Sequence, residues 1–239
     1  ASFLYVIPNV SVNYNVAATN LDAGAINTKV QNAITNFETK ELSLFDKGFR
    51  ESVFVKAVSE ADVSIVSSRS TYTMMKRFTP NTGTATTYNF AFNNAIHHPH
   101  AGHLNAINST GFTFNNQTTF IDDNGFGVLR LYYLGDNNIR QYVSNDAGTV
   151  NYATGLITLN NDNITSTSSI ELTAKPDIND INTVRNNIIL LSGTSVTVIN
   201  NETGAVESRV TTATTSGSTT TITTAFTGTT STGTTSGVS

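Results

Sequence analysis

The chain has 239 residues, and only 13% of them are charged, about half the fraction usual for a globular domain. It has no Cys, which excludes disulfides, thiol nucleophiles and cysteine-ligated metals, and its net charge of −4 argues against binding to nucleic acid. No apolar run approaches the roughly 20 residues of a membrane-spanning helix. Abundant Thr, Asn, Ser and Gly favour strands and turns, so the composition predicts an α+β protein that is mostly β.

The first eighty residues are predicted to form a small α+β unit that begins with a strand and a helix. Residues 3–14 alternate apolar and polar side chains, and Pro8 among them favours an edge strand or a bulge. Asp22 can cap a following helix of about four turns. The apolar side chains of this helix recur at spacings of three and four residues: Ile26, Val30, Ala33, Ile34 and Phe37.

The same unit is predicted to continue with a second helix and two strands. Residues 49–58 favour a helix with these inward side chains: Phe49, Val53 and Val58. Alternation around Val63 and Ile65 predicts one strand, and large side chains at every second position of residues 72–78 predict another. The unit, residues 1–80, therefore has the order strand, helix, helix, strand, strand.

Beyond residue 80 the helical spacing disappears, and the pattern predicts an antiparallel β domain over residues 81–175. Its strands are predicted at residues 88–92, 112–114, 120–121, Val128–Leu134, 139–143, 148–159 with a turn near Gly155, and Ile170–Ala174. Asp123-Asn124-Gly125 is typical of a hairpin turn. Residues 176–210 are predicted to hold a further hairpin, residues 196–199 with 206–210, after an apolar run at 184–191 that fits helix or strand.

The last segment, residues 211–239, consists almost entirely of Thr, Ser and Gly, a composition typical of an extended or disordered tail. Two large apolar side chains within it fall on one face of a possible strand, together with two threonines: Thr220, Ile222, Thr224 and Phe226. Main-chain pairing at a sheet edge would compensate the entropy of ordering this segment. We therefore hypothesise that it adds as a strand to this chain or to a neighbour.

All four histidines fall within residues 97–103, at His97, His98, His100 and His103. Three imidazoles and a water are a possible ligand set for zinc, copper or nickel. The alternative is a polar hairpin tip without a metal, because no Asp or Glu lies between Met75 and Phe120 to orient the rings. Both interpretations remain open from the sequence.

Other catalytic and cofactor patterns are missing from the sequence. It has no Gly-x-Ser-x-Gly motif and no phosphate-binding glycine loop. Residues 122–125 lack the ligand spacing of a calcium loop and are predicted to form a tight turn. The sequence thus predicts no enzyme activity, no cofactor and no small-molecule substrate.

Two parts of the chain resemble baseplate proteins of contractile phage tails. Residues 45–63, FDKGFRESVFVKAVSEADV, resemble a segment of the baseplate J-like family. The stretches GTVNYATGLI (148–157), PDINDI (176–181) and RNNII (185–189) are similar to the C-terminal part of the baseplate wedge proteins of T4-like phages. The histidine segment and the Thr-rich tail fall outside this resemblance.

The resemblance implies a structural virion protein of the tail baseplate, assembled in the cytoplasm of the bacterial host. Its expected role is to link neighbouring wedges into a ring around the hub that rearranges on contraction, with copies of itself and other baseplate proteins as partners. Alternatives are another virion or surface β protein (a fibre, capsid or adhesin domain) and a metal-dependent enzyme built on the histidines. The sequence starts without Met or a signal-peptide pattern, so we expect a longer parent protein.

Overall fold

The computed structural model describes residues 2–42, 45–82, 84–160, 164–166, 168–184, 187–201 and 206–209. The fold is α+β and mostly β, which confirms the predicted class. Its strands are β1 (Ser2–Tyr14), β2 (Ile65–Phe78), β3 (Tyr88–Ala91), β4 (Ile107–Ser109), β5 (Phe112–Phe114), β6 (Gln117–Asp123), β7 (Val128–Leu134), β8 (Arg140–Asn151), β9 (Leu156–Leu159), β10 (Ile170–Ala174), β11 (Asn187–Leu191), β12 (Ser195–Asn200) and β13 (Val206–Arg209). Its helices are α1 (Ala23–Phe37), which runs on into a π-helical turn (Glu38–Leu42), and α2 (Glu51–Ser59). Short 3₁₀ turns lie at Val16–Ala18 and Asp136–Asn138.

The described strands form one sheet in the order β13-β12-β1-β2-β10-β4-β6-β7-β8-β9-β3, with β11 paired to β1 and β5 paired to β6. Most neighbours are antiparallel. The exceptions are β11 and β12, which pair in parallel with the first and second parts of β1. The last strands of the chain therefore complete the sheet beside the first one.

β1 is an interior strand, so the edge position predicted from Pro8 is wrong. One side of β1 pairs with β2, and the other side pairs with β11 up to Val6 and with β12 from Asn9 onward. Val6 accepts a hydrogen bond from Ser192 N–H on that second side, and alternate residues of a strand bond to the same side. Pro8 has no N–H to donate. Its nitrogen therefore faces the break between β11 and β12, where no partner strand would accept a hydrogen bond from it.

α1 has the predicted cap and the predicted buried face. Asp22 Oδ1 accepts a hydrogen bond from Ala25 N–H at 2.7 Å. Ile26, Val30 and Ile34 are buried against the sheet, and the helix packs on β12. Asn27 strengthens this packing because its side-chain amide donates to the Val196 carbonyl at 3.1 Å.

α2 forms near the predicted position, but its inward face is different. Phe54 and Val58 are fully buried, whereas Val53 is 41% exposed and points away from the core. Phe49 is also buried, although it precedes the helix and pairs with Ile181 in an isolated bridge. The inward face follows the i, i+4 pair Phe54–Val58, which packs on β2.

The two strands predicted between residues 63 and 78 are one strand, β2. Val63 lies in the preceding turn and is 94% exposed. In the second half of the chain, β7 and β10 have the predicted bounds, and the ambiguous run at 184–191 contains β11. The predicted C-terminal hairpin is present as β12 and β13.

The sheet continues across residues 80 and 175, which are two of the predicted domain boundaries. The division of the chain into these domains remains a proposal. The segment 176–184 reaches back to α2, where Asp180 Oδ1 accepts from Glu51 N–H at 2.9 Å and caps the helix. This backbone hydrogen bond lowers the pKa of Asp180. Among the described residues, no helix is long and apolar enough to cross a membrane.

Candidate interaction surface

β6 ends in two consecutive carboxylates, Asp122 and Asp123, and both are completely buried. Successive side chains of a strand lie on opposite faces, so the two carboxylates lie on opposite faces of the sheet. Asp123 shares the core face with Ile121, which is also fully buried. Asp122 lies on the other face of the sheet, opposite Arg130 of β7.

Two arginines and a tyrosine cover the Asp122 carboxylate. Arg130 binds both oxygens through Nε at 2.9 Å and Nη2 at 3.1 Å. Arg140 of β8 donates to Oδ2 at 2.6 Å and also bonds to Asn105. Tyr142 OH donates to the same Oδ2 at 3.1 Å. A buried carboxylate is stable only with partners of this kind. The register of the paired strands brings both arginines to the carboxylate and so fixes their arrangement.

The same arginines stack on aromatic rings. The guanidinium of Arg140 lies 4.5 Å from the ring centre of Tyr132, and that of Arg130 lies 4.2 Å from Tyr142. Phe120 stacks on Tyr132 with 5.5 Å between ring centres. We call this set the Arg–Tyr surface: Phe120, Arg130, Tyr132, Arg140 and Tyr142.

Chemically, the Arg–Tyr surface is suited to binding another protein. Tyr and Arg are the residue types enriched among the energetic hot spots of protein interfaces. Burial raises the pKa of Tyr132, so its hydroxyl stays protonated at neutral pH. The surface is held rigid by the Asp122 ion pairs, which lowers the entropy cost of binding. Next to it, Leu134 and Ile139 flank the turn of the same hairpin and are exposed.

On the core face, Asp123 joins three parts of the chain. Its carboxylate accepts hydrogen bonds from Ile107 N–H at 2.9 Å, Gly125 N–H at 3.2 Å and Tyr152 OH at 2.8 Å. Burial, then the bond to Asp123, raises the pKa of Tyr152, so this hydroxyl remains a donor. The predicted turn after Asp123 is confirmed, since residues 124–127 connect β6 to β7.

The histidine segment packs against that turn. His98 donates from Nε2 to the Gly125 carbonyl at 2.9 Å, and its ring stacks on Tyr152 with 3.8 Å between centres. Gly102 N–H donates to the same carbonyl at 2.7 Å. Gly125 has a φ of +76°, and a Cβ there would overlap the Gly102 backbone, so only glycine fits.

The four predicted metal ligands lie close together without forming a ligand set. His97, His98 and His100 each lie 5.7–6.3 Å from His103, measured between ring centres. In the part of the chain that the structure describes, no group of three or more His, Asp or Glu side chains is arranged to hold a metal ion. Metal binding at these residues stays a prediction, and binding through His98 would have to replace its bond to Gly125.

A second feature is a cleft of about 430 Å³ between the end of β2 and β3. Five aromatic side chains line this β2–β3 cleft: Phe3, Tyr5, Phe78, Tyr88 and Phe90. Phe78 contacts both Tyr88 and Phe90, with ring centres 5.1 and 4.7 Å apart. Arg77 covers one side by stacking on Tyr5 at 4.5 Å.

Sequence reasoning missed both features. Asp122 and Asp123 were assigned to a turn, and the arginines that make Asp122 a buried site are 8 and 18 residues away. The usable signal was the pairing of charges across a predicted hairpin, where Arg130 follows Asp122 after an Asn-Gly turn. The predicted interaction residues Thr220, Ile222, Thr224 and Phe226 lie outside the described residues.

The N-terminal part of the chain matches a known family. Residues 2–77 match the model of the baseplate structural protein gp6, C-terminal domain III. The match covers about a third of the 239 residues and ends one residue before the end of β2, so it comprises β1, both helices and nearly all of β2. It supports a phage baseplate protein with a structural role in the virion tail. No curated protein matches the chain.

Proposed function

We propose that this chain is a wedge subunit of a contractile phage tail, which links neighbouring wedges into a ring around the hub and rearranges with the ring on contraction. The observation that carries the proposal is the family match over residues 2–77. These residues form the helix-covered part of the sheet, and β11 and β12 complete it from the far end of the sequence. The chain would be assembled with its partners in the host cytoplasm and would act without catalysis or a cofactor.

The proposed partners are other copies of this chain and other baseplate proteins. The Arg–Tyr surface supports such contacts because Arg140 and Tyr142 are partly exposed on it and are held in place by Asp122. A second contact is proposed for the C-terminal segment, where Thr220, Ile222, Thr224 and Phe226 would lie on one face of a strand added to this chain or to a neighbour. The lack of charge in residues 210–239 favours pairing with a sheet edge, since charges are what normally block it.

An epitope inserted after Asp46, in an exposed turn, tests the location. We expect antibody to label the baseplate end of tail particles assembled with the tagged copy. Label at the capsid or at the fibres would instead favour the other virion proteins considered above. Particles without label, from a strain that makes the tagged chain at normal levels, would contradict any virion role.

Light scattering tests the surface. We expect the purified chain to self-associate, and Tyr142→Ala to weaken the association roughly tenfold, as loss of one hot-spot side chain does. Val66→Ala is the matched control, because Val66 is exposed on β2, away from the Arg–Tyr surface. Equal association of the two variants would contradict the role of Tyr142.

A further inference from the structure

We propose that the β2–β3 cleft is the docking site of this chain's own C-terminal segment, residues 219–227, which enters it as an extended strand. The inference rests on the proposed function, because it names the site that receives the strand proposed there. Three properties of the cleft and of the chain favour this occupant: an open strand edge, an aromatic lining, and the direction in which β13 leaves the sheet.

The first property is a strand edge at the cleft, that of β3. In the described part of the chain, β3 pairs with β9 only and is the last strand of the sheet order. Edges of this kind accept an added strand.

The second property is the chemistry of the lining. Phe3 is 43% exposed, and it lies with four other aromatic side chains in a cleft whose volume is about 430 Å³. Such a cleft favours an uncharged strand that carries large apolar side chains on alternate positions. The segment 219–227 has this character, because Ile222 and Phe226 fall on one face and the segment has no charge. Arg77 does not call for an acidic ligand, since Glu171 pairs with it at 2.8 Å.

The third property is direction. β12 runs parallel to β1 and β13 runs antiparallel to β12, so the chain leaves β13 toward the Phe3 end of β1. Arg209 lies opposite Val196, which lies opposite Val10. Phe3 is seven residues before Val10 and two strands across, which places the cleft roughly 25–30 Å from Arg209. The nine residues 210–218 span up to about 30 Å when extended, so segment 219–227 can reach its own cleft.

Paired cysteines give a direct test, because the chain has no Cys of its own. Asn89 is exposed and lies on the face of β3 opposite to Tyr88 and Phe90, and Thr223 lies on the face of the added strand opposite to Ile222, so we would combine Asn89→Cys with Thr223→Cys in the full chain and oxidise it at low concentration. We expect an intramolecular disulfide, seen as a monomer of altered mobility on a non-reducing gel. The matched control combines Thr223→Cys with Ala18→Cys, which is exposed beyond the opposite end of β1 and should not cross-link.

A third substitution tests whether the aromatic lining holds the segment. Adding Phe226→Ala to the Asn89–Thr223 cysteine pair should slow cross-linking about tenfold, because one buried aromatic anchor is lost. Equal cross-linking rates with and without Phe226→Ala would overturn docking through the aromatic lining. Equal cross-linking of the Ala18 control would overturn the location.

The failure of this inference is distinguishable from the failure of the proposed function. A disulfide that forms only between two chains would overturn docking within one chain while leaving self-association supported. No disulfide of either kind would overturn the cleft as the docking site, and antibody labelling of the baseplate would still report on the proposed function.

Discussion

In residues 2–77, two helices cover the sheet and the core contains a cluster of aromatic rings, whereas residues 107–159 contain no α-helix in the described chain and bury two carboxylates. The first region packs aromatic rings against one another: Phe37, Phe49, Phe54 and Tyr72 have ring centres 4.9–5.7 Å apart. The second region fixes its strands through Asp122 and Asp123 and their partners.

The difference indicates how each region tolerates change. Apolar packing is non-directional, so a lost side chain leaves a cavity whose cost depends on relaxation of its neighbours. A buried ion pair is directional, so the loss of one partner leaves a charge in a site without water. The first region should therefore respond to changes of size, and the second to changes of charge.

The largest effect is expected in the aromatic cluster of the first region. Phe49→Ala should lower the free energy of unfolding by about 4 kcal/mol, because Phe49 is fully buried and contacts three other rings. Urea denaturation measures it. Val53→Ala, on the exposed side of α2, is the control and should change stability by less than about 1 kcal/mol. A loss below about 1 kcal/mol for Phe49→Ala would contradict this account of the core.

A somewhat smaller effect is expected at the buried carboxylate of the second region. Arg130→Ala should cost about 3 kcal/mol, because it leaves Asp122 buried beside only part of its ion-pair network. Adding Asp122→Asn should restore part of that loss, since the uncompensated charge is then removed. If the double variant is less stable than Arg130→Ala alone, charge is not what sets the cost.

The first region also contains a buried ion pair, whose contribution to stability depends on pH. Asp62 is nearly buried and accepts a hydrogen bond from Lys29 at 2.6 Å; this bond, with those from Ser64, lowers the pKa of Asp62 to about 2. A pKa below the unfolded value of about 3.9 stabilises the fold above pH 4, and this contribution is lost as the pH falls through 2.

Asp62→Asn should therefore cost about 2 kcal/mol at pH 7 and almost nothing near pH 2. Denaturation curves measured across this pH range test the prediction. Asp146→Asn, at an exposed position of β8, serves as the control and should leave the pH profile unchanged. A constant difference between Asp62→Asn and the parent chain at all pH values would contradict the linkage.

The smallest effect is expected where residues 176–184 meet the first region. Asp180→Ala removes the carboxylate that caps α2 and should cost about 1 kcal/mol, the usual value for a helix cap. Asp177→Ala is the matched control, since Asp177 lies in the same loop and its carboxylate lies 3.5 Å from His97 Nδ1. Similar losses for both variants would show that the loop, and not the cap, matters.

The sequence predicted the parts of the fold that depend on local pattern. The bounds of β7 and β10, the capped helix after Asp22 and the turn after Asp123 were correct because alternation, caps and Asn-Gly turns act over a few residues. The edge position predicted from Pro8 was wrong because the position of β1 in the sheet depends on β11 and β12, more than 170 residues later. The inward position predicted for Val53 was wrong because Val53, Phe54 and Val55 are consecutive apolar residues, which leave the phase of the nine-residue helix ambiguous.

The candidate interaction surface was less predictable for the same reason. Asp122 becomes a buried site only when β6, β7 and β8 are paired in register, which brings Arg130 and Arg140 to one carboxylate. The pattern of residues 122–125 favours a turn, and the turn is present. Burial of the carboxylate just before it depends on those strand pairings, and the sequence indicates it only through Arg130, which follows Asp122 across the Asn-Gly turn.

The pairing of β1 with β11 and β12 has a consequence for synthesis of the chain. A ribosome releases residues from the N-terminus, so β1 leaves it long before β12 is translated. During that interval one edge of β1 stays open, and contacts between such distant residues form slowly. We expect nascent chains truncated before residue 187 to need a chaperone or to aggregate. Chains that extend past residue 200 should fold without a chaperone.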